Sequence, residues 1–195
     1  MARSSDAHVH PAARSADQAA RLARKLARAD ALAAERGLAL TTLRRQVYAL
    51  IAQSESAFET VGAALNAVHL REALGLALEL ATVTNHYLDS EAPWKTIKVD
   101  RARAGTQLYV AARVIDSLSI LLSPFIPFTC EAVRKQLGYA EPLYGTQYVE
   151  TIGAEGDQHS VLRYDGSTAR GQWQPSTLQP GQLLGGEPKG LVTKI

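Results

Sequence analysis

The sequence predicts a mainly α-helical fold: a bundle of four to five helices from about Ser15 to Leu137, then an extended tail with at most a small strand pair. Three observations lead there. Apolar residues recur at steps of three and four through the first two thirds of the chain. After Gly138 that period stops, and Gly166, Gly171, Pro175, Pro180, Gly181, Gly185, Gly186 and Pro188 crowd the remainder. Within that remainder, alternation around Gln147–Ile152 and Ser160–Tyr164 suits two short extended segments. At 195 residues there is room for one ordinary domain, or one domain with a small addition.

The elements follow in order. Residues 1–14 are small, polar and patternless, and are expected to be disordered. Ser15-Ala-Asp-Gln18 reads as a capping box, a serine facing a glutamine three residues on. Leu22, Leu26, Ala29 and Ala33 continue at helical spacing until Gly37. A second helix from Thr41 or Thr42 carries Leu43, Val47, Leu50 and Ile51, so residues 15–52 form a basic helix pair. From 53 to 138 the helical body continues. Phe58, Val61, Leu65 and Val68 mark one helix, with a turn near Asn66. Leu70, Leu74, Ala77, Leu78, Ala81 and Leu88 mark the next, which Pro93 ends. Asp100 caps a long helix with Leu108, Ala112, Ile115, Leu118 and Leu122, and Pro124 and Pro127 punctuate its end. A short helix, Thr129–Leu137, stops at Gly138, and residues 139–195 form the tail that packs on the bundle. Leu74, Leu78, Leu108, Ile115, Leu118, Leu122 and Val133 are the expected core positions.

Composition narrows the function classes. Apolar residues make up 46% and charged residues 21%, as in a soluble globular protein. No apolar run reaches the ~18 residues of a membrane span, and the N-terminus lacks the apolar core of a signal peptide. The single cysteine, Cys130, excludes an internal disulfide and a Cys-based zinc site, so a reducing cytoplasm is the simplest location. Net charge is only +2, yet it is unevenly spread. Residues 1–52 hold nine Lys/Arg against four acids, whereas the rest holds 12 against 15. Arg21, Lys25 and Arg28 share one face of the first helix, which is either a solvated face or a phosphate-contacting one.

Familiar catalytic motifs are missing. The sequence holds no glycine-rich phosphate loop, no Gly-x-Ser-x-Gly elbow and no His-Glu-x-x-His. His8 and His10 near Asp6 are too few ligands for a firm metal site, and no metal is expected. Cys130, beside Phe128 on an apolar helix, reads as a buried thiol rather than a nucleophile. His69, His86 and His159 are scattered.

The specific signal lies between Leu70 and Gly138. It comprises Leu70-Arg-Glu-Ala-Leu74, then Thr84-Asn-His-Tyr-Leu-Asp-Ser-Glu-Ala-Pro-Trp-Lys95, then Leu121-Leu-Ser-Pro-Phe-Ile-Pro-Phe-Thr129. This resembles the anticodon-binding helical domain of methionyl-tRNA synthetases, with its Asn-x-Tyr-x-Asp-x-x-Ala-Pro-Trp string and Leu-x-Pro-Phe-x-Pro segment. Tyr148-Val-Glu150, Trp173-Gln-Pro175 and the closing Pro188–Ile195 resemble the end of that domain, so the likeness covers about residues 54–195. The resemblance implies reading of the methionine anticodon loop of a tRNA, with Trp94 as the stacking aromatic. A flat ring beside a helix end offers a platform to a splayed base. Lys95 and Lys98 flank it and suit phosphates. Asn85 and His86 lie just upstream, and Asn85, with Tyr87, suits fixing the turn as well as touching RNA.

Two departures bear on function. The resemblance implies a nucleotide-binding catalytic domain with His-x-Gly-His and Lys-Met-Ser-Lys-Ser motifs, and neither motif occurs in this sequence. No catalytic residue is therefore assigned and no cofactor is expected here; ATP would belong to a catalytic domain, a separate partner that the resemblance allows. The family's first helix, which supplies a base-reading Asn and Arg, should precede residue 54. In its place stands Glu35-Arg-Gly-Leu-Ala-Leu-Thr-Thr-Leu-Arg-Arg-Gln-Val47, which resembles the opening helices of ferric-uptake-regulator family repressors. Three readings stay open: a non-catalytic tRNA-binding part of a methionyl-tRNA synthetase, a DNA-binding regulator fragment using the basic N-terminal helices, or a fused or truncated remnant without function.

Overall fold

A computed structural model describes residues 11–35, 42–185 and 190. The elements are α1 (Pro11–Glu35), α2 (Thr42–Asn66), α3 (Leu70–Glu91), the single turn α4 (Pro93–Thr96), α5 (Arg101–Leu121), α6 (Pro127–Gln136), β1 (Thr146–Ile152) and β2 (His159–Asp165). The chain is mainly helical with one small antiparallel strand pair, as expected.

α1 starts earlier than expected. Pro11 opens it, where a missing N–H and a fixed φ suit the first helical position, and the alanine-rich run after it sustains the helix. Ser15–Gln18 thus lies inside the helix rather than capping it, and residues 11–14 are helical. Residues 1–10, with His8 and His10, lie outside the described residues, as does Gly37. Arg21 and Lys25 of the basic stripe turn toward α2, whereas Arg28 is exposed. Arg21 pairs with Glu59, Lys25 with Glu55 at 3.6 Å, and Arg45 of α2 reaches back to Asp30 at 3.2 Å. Pairs this exposed contribute about 0–1 kcal/mol each, so they orient the two helices more than they stabilise them.

α2 runs unbroken through residues 52 and 53. Its end is a Schellman turn: His69 N–H donates to Ala64 O at 2.9 Å and Val68 N–H to Leu65 O at 2.9 Å. Val68 takes the left-handed position there, with φ 60° and 75% exposure, so it does not line the helix face as its spacing suggested.

The core is a seam between α2, α3 and α5. It comprises Leu50, Ala57, Phe58, Val61 and Ala64 of α2, Ala73, Ala77, Leu80 and Tyr87 of α3, and Val110, Ala111, Val114, Leu118 and Leu121 of α5. This corrects the expected core. Leu118 is buried, but Leu74, Ile115, Leu122 and Val133 are half-buried at the margin. Leu78 is 50% exposed and Leu108 47%. The buried face of α5 is Ala104, Gln107, Ala111, Val114, Leu118 and Leu121, about one residue round from the predicted stripe. Small alanines let the helix backbones approach, while the Gln107 amide nitrogen and the Thr84 hydroxyl enter the seam as bonded donors.

The helix ends fall where the punctuation lies. Asp100 accepts from Arg103 N–H at 2.9 Å and caps α5. Pro127 opens α6, and Gly138, at φ 89°, closes the turn after it, where the Leu183 carbonyl leaves no space for a Cβ.

The tail then straps the bundle. Trp173 packs edge-on to Phe58, Arg113 Nη2 donates to Ser176 O at 3.0 Å, and Tyr109 OH donates to Leu178 O at 3.0 Å. Gly185 N–H reaches Gln136 O at 3.0 Å. The strands pair with Val149 opposite Leu162 and Tyr148 opposite Arg163, leaving both faces of the ribbon largely exposed.

Candidate nucleic-acid interface

α3 and α5 are antiparallel neighbours, and their shared end carries the residues singled out in the sequence. Asn85 and His86 lie exposed on the last turns of α3. Tyr87, the next residue, points inward and donates to Gln107 O at 3.5 Å. Burial, with Glu91 nearby, pushes the Tyr87 hydroxyl up to about 12. Asn85 thus faces solvent, while Tyr87 is the residue of this string that braces the turn.

The turn itself is strained. Ala92 has φ 41° and ψ 60°, a left-handed conformation that costs an alanine ~1–2 kcal/mol. It ends α3 and starts α4 at once: its N–H donates to Leu88 O, while its carbonyl accepts from Lys95 and Thr96 N–H at 2.8 and 3.1 Å. Pro93 follows as the first residue of α4 and is buried, so the next side chain, Trp94, is thrown outward. The residue is 54% exposed, and no aromatic contact or hydrogen bond engages its indole among the described residues. Lys95 and Lys98 are exposed on the same turn, with Ile97 beside them and Val99 92% exposed. The surface therefore presents one flat aromatic, two ammonium groups and exposed apolar side chains at a helix junction. It can stack a base and neutralise phosphates.

Beneath the turn lies a polar cluster that the sequence did not point out. Gln107, 1% exposed, donates through Nε2 to both the Glu91 carboxylate at 2.5 Å and the Glu91 carbonyl at 3.3 Å. Arg103 approaches the same carboxylate at 3.4 Å, and Thr96 Oγ1 donates to Glu91 O at 3.1 Å. Nothing in the sequence marked it, because Gln107 lies off the expected stripe that starts at Leu108.

A second polar cluster lies at the other end of α5. Buried Asp116 accepts from Arg134 Nη1 at 3.0 Å and from Tyr139 OH at 2.7 Å, and the Arg134 guanidinium sits 3.9 Å over the Tyr139 ring. Residues 170–177 of the tail cover it. Cys130 is buried, which raises its thiol to about 11 and makes it a poor nucleophile. His69 pairs with Glu72 at 3.2 Å. Among the described residues no group of three or more His, Cys, Asp or Glu could hold a metal, and no helix is long and apolar enough to cross a membrane.

The family described as the anticodon binding domain of methionyl tRNA ligase matches residues 39–159. The chain is similar to the methionine–tRNA ligase of Roseiflexus sp. (strain RS-1), 42% identical over 136 residues, which are 69% of this chain and 23% of that protein. It is 42% identical to that of Thermomicrobium roseum over 148 residues, 75% of this chain and 25% of the relative. It is 39% identical to that of Chloroflexus aggregans over 157 residues, 80% and 26% respectively. The chain therefore spans about a quarter of the length of the curated relatives it matches. The family match begins inside the segment that resembled a ferric-uptake regulator, and that regulator resemblance finds no support. Physically, Leu50, Ala57, Phe58 and Val61 form one buried face on one unbroken helix, so residues before and after 53 pack as a single element.

Proposed function

The chain belongs to the family of methionyl-tRNA ligase anticodon-binding domains, and we propose that it binds the anticodon loop of methionine tRNA through Trp94. The observation that carries this reading is the exposed indole at the α3–α4 turn, with Lys95 and Lys98 beside it. A tryptophan that closes a helix junction yet stays half-exposed serves packing poorly and stacking well. Lys95 and Lys98 contact phosphates, while Asn85 and His86 offer polar groups at the edge of the platform. The basic stripe of α1 is not part of this surface, since Arg21 and Lys25 face Glu59 and Glu55.

The relatives are ligases, and this chain corresponds to about a quarter of each. Its role is the non-catalytic, tRNA-binding part of such an enzyme, working in the cytoplasm where tRNA is charged. A catalytic domain that supplies the ATP chemistry is the second partner. The absence of an Asn from α2 before its last residue, Asn66, leaves base-specific hydrogen bonding weaker than stacking.

The test is a titration of wild type and Trp94→Ala with the methionine anticodon stem-loop, a scrambled loop and a DNA duplex. The expected result is a preference for the methionine loop and a loss of about 1–3 kcal/mol on removing the ring. Equal affinity for both loops, insensitive to Trp94→Ala, reduces the domain to a non-specific basic surface.

A further inference from the structure

We propose that Gln107 and Glu91 are positioning residues for Trp94: a carboxamide–carboxylate clamp between α5 and the end of α3 that holds the indole in one presentation before RNA arrives. The functional importance of this clamp rests on the reading of Trp94 as the stacking surface; its mechanical part does not.

Glu91 is the last residue of α3, so its carbonyl has no donor one turn on. The chain leaves the helix at Ala92, and the Lys95 N–H, four residues on, goes to Ala92 O instead. Two side chains fill the gap: Gln107 Nε2 from α5 at 3.3 Å and Thr96 Oγ1 from α4 at 3.1 Å. The same Gln107 nitrogen also reaches the Glu91 carboxylate at 2.5 Å. One amide thereby ties the backbone and the side chain of the residue at which the turn begins. Trp94 is three residues further on, and no hydrogen bond or aromatic contact fixes its ring among the described residues. Its orientation is inherited from the turn.

Gln107 is a poor choice for stability alone. It lies in an otherwise small and apolar seam, and its own Oε1 is buried without a hydrogen-bond partner. An apolar side chain would leave no such orphan. A buried polar group with one unsatisfied atom, next to a left-handed Ala92, is what a site held rigid at the expense of stability looks like. Rigidity helps binding because a ring already ordered loses less freedom when a base stacks on it.

The test uses the full chain with Gln107→Met, which keeps length and volume but removes the amide, and Glu91→Gln, which keeps the carbonyl contact and an acceptor. The first readout needs no RNA. In a Trp173→Phe background, time-resolved fluorescence anisotropy reports the Trp94 ring alone. Gln107→Met is expected to lower its residual anisotropy, and Glu91→Gln to leave it near wild type. An unchanged anisotropy in Gln107→Met overturns the clamp. The second readout is a double-mutant cycle with the methionine anticodon stem-loop. Gln107→Met is expected to weaken binding about three- to tenfold when Trp94 is present and not at all in Trp94→Ala. An equal loss in both backgrounds means general damage and overturns the proposal. A Trp94→Ala variant that binds as wild type overturns the stacking reading instead, while the anisotropy result still decides whether the clamp exists.

Discussion

The indole of Trp173 donates from Nε1 to the carbonyl of Phe58, 3.1 Å away, joining the tail to the middle of α2 across 115 residues of sequence. The ring also meets the Phe58 side chain edge-on, with centroids 5.5 Å apart and planes at 70°. A Cβ on Gly62 would lie 3.1 Å from that same indole nitrogen, so the glycine provides the space that Trp173 fills. This contact, with the Arg113, Ser117 and Tyr109 bonds to residues 176–178, makes the tail part of the fold rather than an appendage.

Replacing Trp173 by Ala therefore destabilises the whole domain. The residue is 42% exposed, so the loss falls at the lower end of the ~3–5 kcal/mol for a buried aromatic, about 3 kcal/mol. Trp173→Phe keeps the edge contact and loses one hydrogen bond, at about 1 kcal/mol. Urea midpoints for the three proteins check this. A tail that merely rests on the bundle predicts no change for either.

At the closing turn of α2, Val68 holds a left-handed φ of 60° while 75% exposed. A β-branched residue there carries the left-handed penalty of ~1–2 kcal/mol and buries little in return. Val68→Gly is expected to stabilise the protein by about 0.5–1 kcal/mol after the extra freedom of glycine in the unfolded chain is subtracted. The urea midpoint should rise with the slope unchanged. A fall would mean that Val68 covers something its exposure does not reveal.

Two tyrosines contribute to the alkaline limit, beside Cys130 and Tyr144, which burial also raises. Burial pushes Tyr139 up to about 12, helped by its bond to Asp116, and burial pushes Tyr87 up to about 12, helped by Glu91. Both lie above the ordinary value of 10.0, so the folded state holds their protons longer than the unfolded chain does. Their stabilisation is fully present below pH 10 and is lost as the pH rises toward about 12. Thermal midpoints should fall across that window, and Tyr139→Phe should flatten the fall. A profile flat up to pH 12 would remove the assignment.

What could be read from the sequence was mostly local. Asp100, Pro93, Pro127 and Gly138 mark helix ends through capping and φ restriction, which a few residues decide among themselves. The alternation at Gln147–Ile152 and Ser160–Tyr164 marks the strands for the same reason. Which face of α5 is buried is a tertiary matter. Leu108 looked like core and is exposed, while Gln107 looked like surface and is enclosed, because Ala104 and Ala111 bring α5 close enough for Glu91 to accept from the amide nitrogen. The string from Asn85 to Trp94 identified the surface, but the clamp beneath it depends on a partner 16 residues away. The Trp173–Phe58 contact spans 115 residues and left no local trace.

Salt dependence separates the parts of the proposed RNA surface. A phosphate neutralised by a lysine releases counterions, so each such contact adds about 0.7 to the slope of log affinity against log salt for a single strand. Lys95 and Lys98 stand exposed beside Trp94, so Lys95→Ala and Lys98→Ala should each lower the slope by about 0.7. Each should also weaken the methionine loop and a scrambled loop alike, since a phosphate contact carries no sequence information. Trp94→Ala should weaken binding with the slope unchanged, because stacking releases few ions. Arg21→Ala and Lys25→Ala serve as controls. Both side chains already face acids of α2, so removing them should leave the slope as it is. Filter binding or anisotropy at four or five salt concentrations suffices. A slope that falls with Arg21→Ala and not with Lys95→Ala would move the RNA path from the α4 turn to α1, and Trp94 would lose its place as the platform.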